Sequence, residues 1–347
     1  MLSRTKCGQI FGFGLPWASA SLRDALVLVI LARTLIQIMV NHVLIIADIE
    51  GSSGCPDYAA SAFMTASWPT ACLAMTRDVQ AVTTALFDAG VPRITIHDFH
   101  RTGYNLIPDL LDSRATLIQG YRRGSVPGIG NPDGADAVLF VGLHAASGTH
   151  GFLAHTLTSR IARLAVNGRP LAEVELFSAV LGPYGIRPLF FSGCPAACDQ
   201  AREALPGITT FAMPKPTPRA PRKLHALRQT MARRAVAALE NPVPPDPLWP
   251  RGSFHAEIRF RDGAAPARRI AARWHLKRVG NTILLDAATI EQLYADLIRI
   301  CYLTPLVQAF LPFGMALYRV LGITGLAWVK HRLKTRRYHR RLVRFYR

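Results

Sequence analysis

The chain has 347 residues, half of them hydrophobic, and a formal net charge of +19. That length and apolar content support a sizeable core and exclude a disordered or fibrous chain. The charge is uneven: residues 330–347 hold nine Lys or Arg and no acid, a second basic cluster spans 215–234, and no zinc-finger or RNP pattern turns this basicity into a nucleic-acid signature.

Residues 1–40 carry a faint apolar run, Ile10–Ala20, behind Arg4 and Lys6. The stretch reads either as a leader or as sequence ahead of a true start at Met39. From Val43 an α/β rhythm begins. A buried strand is expected at 43–47 and a helix at 71–89, where Leu73, Val79, Val82 and Leu86 recur at helical spacing before Gly90. Strands follow at 93–96, 116–118 and 136–142, with a short helix at 107–111. A strand at 159–166 meets Asn167-Gly168, a strong hairpin turn, and a helix is expected from Pro170. Strands at 188–192 and 208–212 flank a helix at 195–204. The Pro-rich run 214–221 is a connector, and 223–239 a basic helix.

These observations predict an α/β fold: a mainly parallel sheet flanked by helices, because each strand is a continuous apolar run. The α/β domain is expected at 41–241. After the Pro-rich linker 242–250, strands at 255–260, 268–274 and 282–286 and a helix at 287–301 predict a smaller α+β element over 242–302. Residues 303–347 form an apolar and then basic tail. An apolar run followed by Lys330–Arg347 predicts contact with a membrane surface; the competing expectation is helices that cover the domain or an oligomer interface.

The chemistry gathers at the strand ends. In the run His42–Gly54, Asp48 and Glu50 project together while Ile49 faces the core, by the alternation of strand side chains. Two adjacent carboxylates need a cation or a proton to relieve their repulsion. The next expected strand closes on His100 and the third on His144. Ligands sit outside the carboxyl ends of strands in open α/β sheets, so these residues predict a divalent-metal hydrolase. His155, beyond a Gly-rich loop, is a further ligand or an acid/base group. Six scattered cysteines without a CxxC pair predict a reducing, cytoplasmic compartment.

Four ordered motifs, ADIEGSSG (47–54), HDFHRTGYNL (97–106), FVGLHAASGTHGFLAHT (140–156) and VNGRPLAEVEL (166–176), resemble the zinc-dependent D-aminopeptidases, the dipeptide transport protein A family, over residues 43–300. The resemblance implies two Zn2+ per chain on Asp48, Glu50, His100, His144 and Glu173, with His155 catalytic. It implies hydrolysis of small peptides with N-terminal D-residues, such as D-Ala-D-Ala, in a decameric ring. Asn105, Thr149, Gly151 and Arg169 match as shaping residues, and Glu175 is the better candidate for helix capping. Departures occur at Ala47, at His97 where the family has Asn, at Gly193-Cys194-Pro195 and at Pro214–Pro221, and these bear on substrate range. Rival readings are a metallohydrolase for another amide or an L-dipeptide, and a membrane-tethered binding protein without activity.

Overall fold

Strand β1 (His42–Ala47) is buried at every position and lies inside a six-stranded sheet. The computed structural model that shows this describes residues 40–132, 134–217, 220–240 and 253–335. The readings for 1–39, for the linker at 242–250 and for the basic residues beyond 335 lie outside the described residues.

The sheet order is β3–β2–β1–β4–β7–β8, with β2 Arg93–Asp98, β3 Thr116–Ile118, β4 Ala137–Leu143, β7 Arg187–Gly193 and β8 Thr209–Ala212. Every neighbouring pair is parallel. Parallel strands need crossovers, so both faces of the sheet are covered and the strands are apolar on both sides. In β1, Leu44 and Ile46 pack with Phe140, Phe177 and Phe191, whereas Val43 and Ile45 pack with Val79, Leu86 and Met231. The first face carries α3 (Glu173–Leu181) and α4 (Pro195–Ala204); the second carries α2 (Trp68–Asp88) and α5 (Pro221–Ala237), after the short α1 (Tyr58–Ser61).

A second sheet, order β10–β11–β9–β5–β6, is antiparallel throughout. It joins β5 (Ile161–Val166) and β6 (Arg169–Pro170) to β9 (Phe254–Phe260), β10 (Lys277–Val279) and β11 (Thr282–Ala287). In β9 the side chains alternate strictly, Phe254, Ala256, Ile258 and Phe260 inward and the residues between them exposed. One face therefore lies on the core and the other meets solvent. The β5–β6 hairpin turns at Asn167-Gly168, both with positive φ, as the turn chemistry requires. Helices α6 (Ala264–Trp274) and α7 (Ile290–Tyr302) follow on either side of the last two strands.

Three local expectations change. Residues 268–274 are helical, not a strand, because Ala267, Ile270, Ala271 and Trp274 recur at i, i+3, i+4 and i+7 and form a helix face. The strand expected there is β10, at an exposed edge. Pro170 belongs to the hairpin, and the helix after it opens at Glu173. In the tail, a short α8 (Pro305–Ala309) leads into α9 (Leu311–Lys334), which has the length and composition to cross a membrane yet packs against α2.

Candidate metal centre

The strand order reverses at β1: its successor β2 lies on one side and β4 on the other. Such a switch point opens a crevice at the carboxyl ends of the two central strands. Asp48 leaves β1 there, His144 leaves β4, and His100 follows β2. The loop after β1 crosses very close to the end of β4. Asp48 N donates to Val141 O over 2.9 Å and Gly51 N to Gly142 O over 2.7 Å. A Cβ on Gly51 would fall 1.9 Å from Leu143 O, and one on Gly142 2.3 Å from Asp48 O, so both must be glycine.

Asp48 and Glu50 do meet, in a tight turn rather than an extended strand: Ser52 N donates to Ile49 O at 3.1 Å. Ile49 is fully buried in the core and both carboxylates point away from it. Asp48 Oδ1 and Glu50 Oε2 lie 3.1 and 2.8 Å from His100 Nδ1. The other ring nitrogen, Nε2, donates to the Ser61 carbonyl at 2.9 Å. With Nε2 carrying the proton, Nδ1 faces two carboxylates with a lone pair. The arrangement is repulsive unless a positive centre, a proton on Nδ1 or a metal ion, sits between them. Glu50 Oε2 is buried without a hydrogen-bond partner, so its charge fits a site that holds a cation.

Charges follow from that crowding. Burial, and next to it Glu50, raises Asp48 to about 6. Burial alone would raise Glu50 too, but His100 outweighs it and holds that carboxyl well below its ordinary value. Burial opposes a charge on His100, and the two carboxylates override it and push its pKa well up.

A second group lies alongside. His144 Nε2 is 3.4 Å from Asp48 Oδ2 and 3.6 Å from Glu173 Oε1. Its Nδ1 is turned to the Ala145 carbonyl at 3.2 Å, which leaves Nε2 for the centre. Glu173 stands in the first turn of α3, and burial raises its pKa. Its Oε1 accepts from Leu157 N at 2.7 Å. His155 stacks on His144, with ring centroids 3.8 Å apart and planes 10° from parallel. Its Nδ1 donates to Leu153 O at 2.8 Å, and burial, then His144, lowers its pKa. Donor atoms of Asp48, Glu50 and His100 lie within 4.8 Å of one another, and so do those of His144, His155 and Glu173. All six residues expected from the sequence therefore converge. The donor set, carboxylate oxygens with imidazole nitrogens, suits zinc or a similar divalent ion.

Supporting residues divide into those expected and those missed. Asn105 Nδ2 donates to Asp98 Oδ1 at 2.8 Å and to the His100 carbonyl at 2.7 Å, which sets the loop carrying His100. Arg169 does not reach Glu173; it pairs with buried Glu175, whose carboxyl burial raises to about 7. No sequence pattern marks Gln200, and it clamps the loop after His144 by accepting from Ala146 N at 2.9 Å and donating to Thr149 Oγ1 at 2.9 Å. Nor does any pattern mark Lys215, whose Nζ donates to the carbonyls of Glu50, Ser52 and Cys55 at 3.1, 2.6 and 3.0 Å. A buried pair, Arg228 Nε to Asp78 Oδ1 at 2.7 Å, holds the same loop through Ser53, whose N and Oγ each donate to Asp78 at 2.7 Å.

Comparison with known proteins gives a family and a fold. A family model described as D-aminopeptidase matches residues 42–297. A curated D-aminopeptidase of Bacillus subtilis (strain 168) is 28% identical over 192 residues, an alignment taking in 55% of this chain and 65% of that protein's length. Among solved structures, the Zn-dependent D-aminopeptidase DppA from Bacillus subtilis, described as a self-compartmentalizing protease, superposes with a TM-score of 0.66 at 23% identity, over 74% of this chain and 96% of that one. That likeness extends the shared fold to the small antiparallel sheet and its helices. Since the family model spans well over half of its length, the chain belongs to the D-aminopeptidase family.

Proposed function

We propose that this protein is a zinc-dependent aminopeptidase acting on small peptides with an N-terminal D-residue, of the D-Ala-D-Ala kind. The observation that carries the reading is the position of Asp48, with one oxygen toward His100 and the other toward His144. Asp48, Glu50, His100, His144 and Glu173 would hold two ions, with Asp48 common to both. Bound zinc would supply a Lewis acid for the scissile carbonyl and a water of lowered pKa.

The protein's own groups complete the chemistry. Glu50, 2% exposed, and Asp48 supply negative charge in a site largely closed to water, where electrostatic interactions are strong. His155 is the proton carrier: its Nδ1 is committed to Leu153 O, and its lowered pKa keeps Nε2 able to accept a proton and return it to the leaving amine. Tyr58, half-exposed with its ring 6.4 Å from that of His155, is the candidate wall for a substrate side chain. Self-association and a cytoplasmic location belong to the same reading; DppA is self-compartmentalizing, and the described cysteines here are free thiols.

The test is D-alanine release by the zinc-loaded protein from D-Ala-D-Ala, beside L-Ala-L-Ala and amide controls. Turnover of the D-peptide above the L-peptide is expected. Preference for the L-dipeptide or another amide would move the substrate class, and metal-loaded protein that hydrolyses none of them would refute the reading.

A further inference from the structure

Helix α9 is apolar on two opposite faces, and the body of the protein uses one of them. Gly322, Gly325, Leu326 and Val329 are buried. A Cβ on Gly322 would fall 2.1 Å from the Tyr104 ring, and one on Gly325 2.3 Å from Phe63, so the backbone itself seats against these rings. Trp328 stacks on Trp68 with centroids 6.1 Å apart, and Lys330 Nζ lies 2.9 Å from Asp109. The C-terminal half of the helix is thereby fixed to the domain.

The 3.6-residue period puts Phe313, Leu317 and Val320 on the other side. They are 75%, 56% and 58% exposed, and Leu306 and Phe310 ahead of them are 70% and 62% exposed. A contiguous apolar face of this kind marks a partner surface. The residues ahead of Gly322 in α9 extend only about 16 Å, against about 30 Å of hydrocarbon in a bilayer. A helix docked in this way has too little length beyond the domain to cross a bilayer.

The neighbouring charge selects the partner. Residues 330–347 hold nine Lys or Arg and no acid, and His331, about five turns beyond Phe313, continues the exposed face. Anionic headgroups would neutralise this charge, which a second copy of the same basic chain, itself at a formal +19, would not. We infer that helices α8 and α9, over residues 305–334, form an interfacial anchor that lays the Phe313–Leu317–Val320 face on an anionic lipid surface, to which the nine Lys and Arg of residues 330–347 add electrostatic attraction. The inference is independent of the peptidase reading.

Flotation of the full chain tests it, with vesicles of phosphatidylcholine alone and of phosphatidylcholine mixed with phosphatidylglycerol. The protein is expected to float with the mixed vesicles only and to be released by salt. Phe313→Glu with Leu317→Glu should remain unbound while unfolding at the wild-type temperature. Gln in place of Arg336, Arg337, Arg340 and Arg341 should weaken binding to anionic vesicles by about tenfold or more, and this variant leaves the apolar face intact if the first one misfolds. Wild-type protein that ignores anionic vesicles overturns the inference, as does binding that both variants retain. Loss of an oligomer in the Phe313/Leu317 variant, without vesicle binding by the wild type, assigns the face to a second copy instead.

Discussion

Asp48 Oδ2 lies 3.4 Å from His144 Nε2, while its Oδ1 lies 3.1 Å from His100 Nδ1. One carboxylate thus joins two donor groups that stand at the ends of different strands. Asp48→Asn should therefore cost both equivalents of metal, whereas His144→Ala should cost mainly the one shared with Glu173. Metal titration against a chromogenic chelator measures this, and equal, partial losses in both variants would remove Asp48 from the bridging position.

His155 is tied to the site by its stack on His144 and by its Nδ1 hydrogen bond, with Nε2 left over. His155→Ala should keep its metal near the wild-type level and lose about 10²–10⁴-fold in kcat. Loss of metal in parallel with activity would make His155 a ligand, and retained turnover would end its catalytic assignment.

Lys215 satisfies three carbonyls of the loop that carries Glu50. Lys215→Met takes this donor from all three carbonyls, although Ser52 O keeps its bond from Cys55 N; the half-buried loss costs about 1–3 kcal/mol and frees the loop to move. Metal affinity should fall about 10–100-fold, as for other residues that orient ligands. Thermal unfolding with and without zinc separates the two effects; an unchanged affinity would restrict Lys215 to a packing role.

His97 is buried within β2, and burial holds its pKa at about 4, below the ordinary 6.5. The folded state therefore prefers neutral His97, while the unfolded chain takes up a proton first as pH falls. Stability from this group is complete above about pH 6.5 and is lost between there and about pH 4. The loss is roughly 3 kcal/mol in size. His97→Asn, which restores the residue that the family resemblance leads one to expect, should flatten the denaturation profile across that window. An unchanged slope would show that other groups govern acid unfolding.

Much of the site was legible because its residues terminate apolar strands. Val43–Ala47 followed at once by Asp48-Ile49-Glu50 announces both the strand and the crowded carboxylates, and His100 and His144 each follow a strand closely. Glu173 was not legible from pattern alone, since its position depends on the β5–β6 hairpin returning the chain to α3 beside His144. Lys215 sits in a Pro-rich connector with no periodicity, so nothing local shows that it folds back onto the Glu50 loop. Residues 268–274, expected as a strand, belong to the helix Ala264–Trp274, because a stretch this short fits either period until packing chooses. For α9, apolar composition leaves membrane contact and packing on the domain both open, because Gly322 and Gly325 act as contact points only once Tyr104 and Phe63 are in place.

Metal binding by Asp48, Glu50, His100, His144 and Glu173 together underlies the proposed chemistry. Zinc content by elemental analysis of the purified protein, beside that of His100→Ala, tests it most directly. About two zinc per chain are expected, one for each donor group, with a lower content in the variant. A protein that holds no metal and takes up none from added zinc would contradict it.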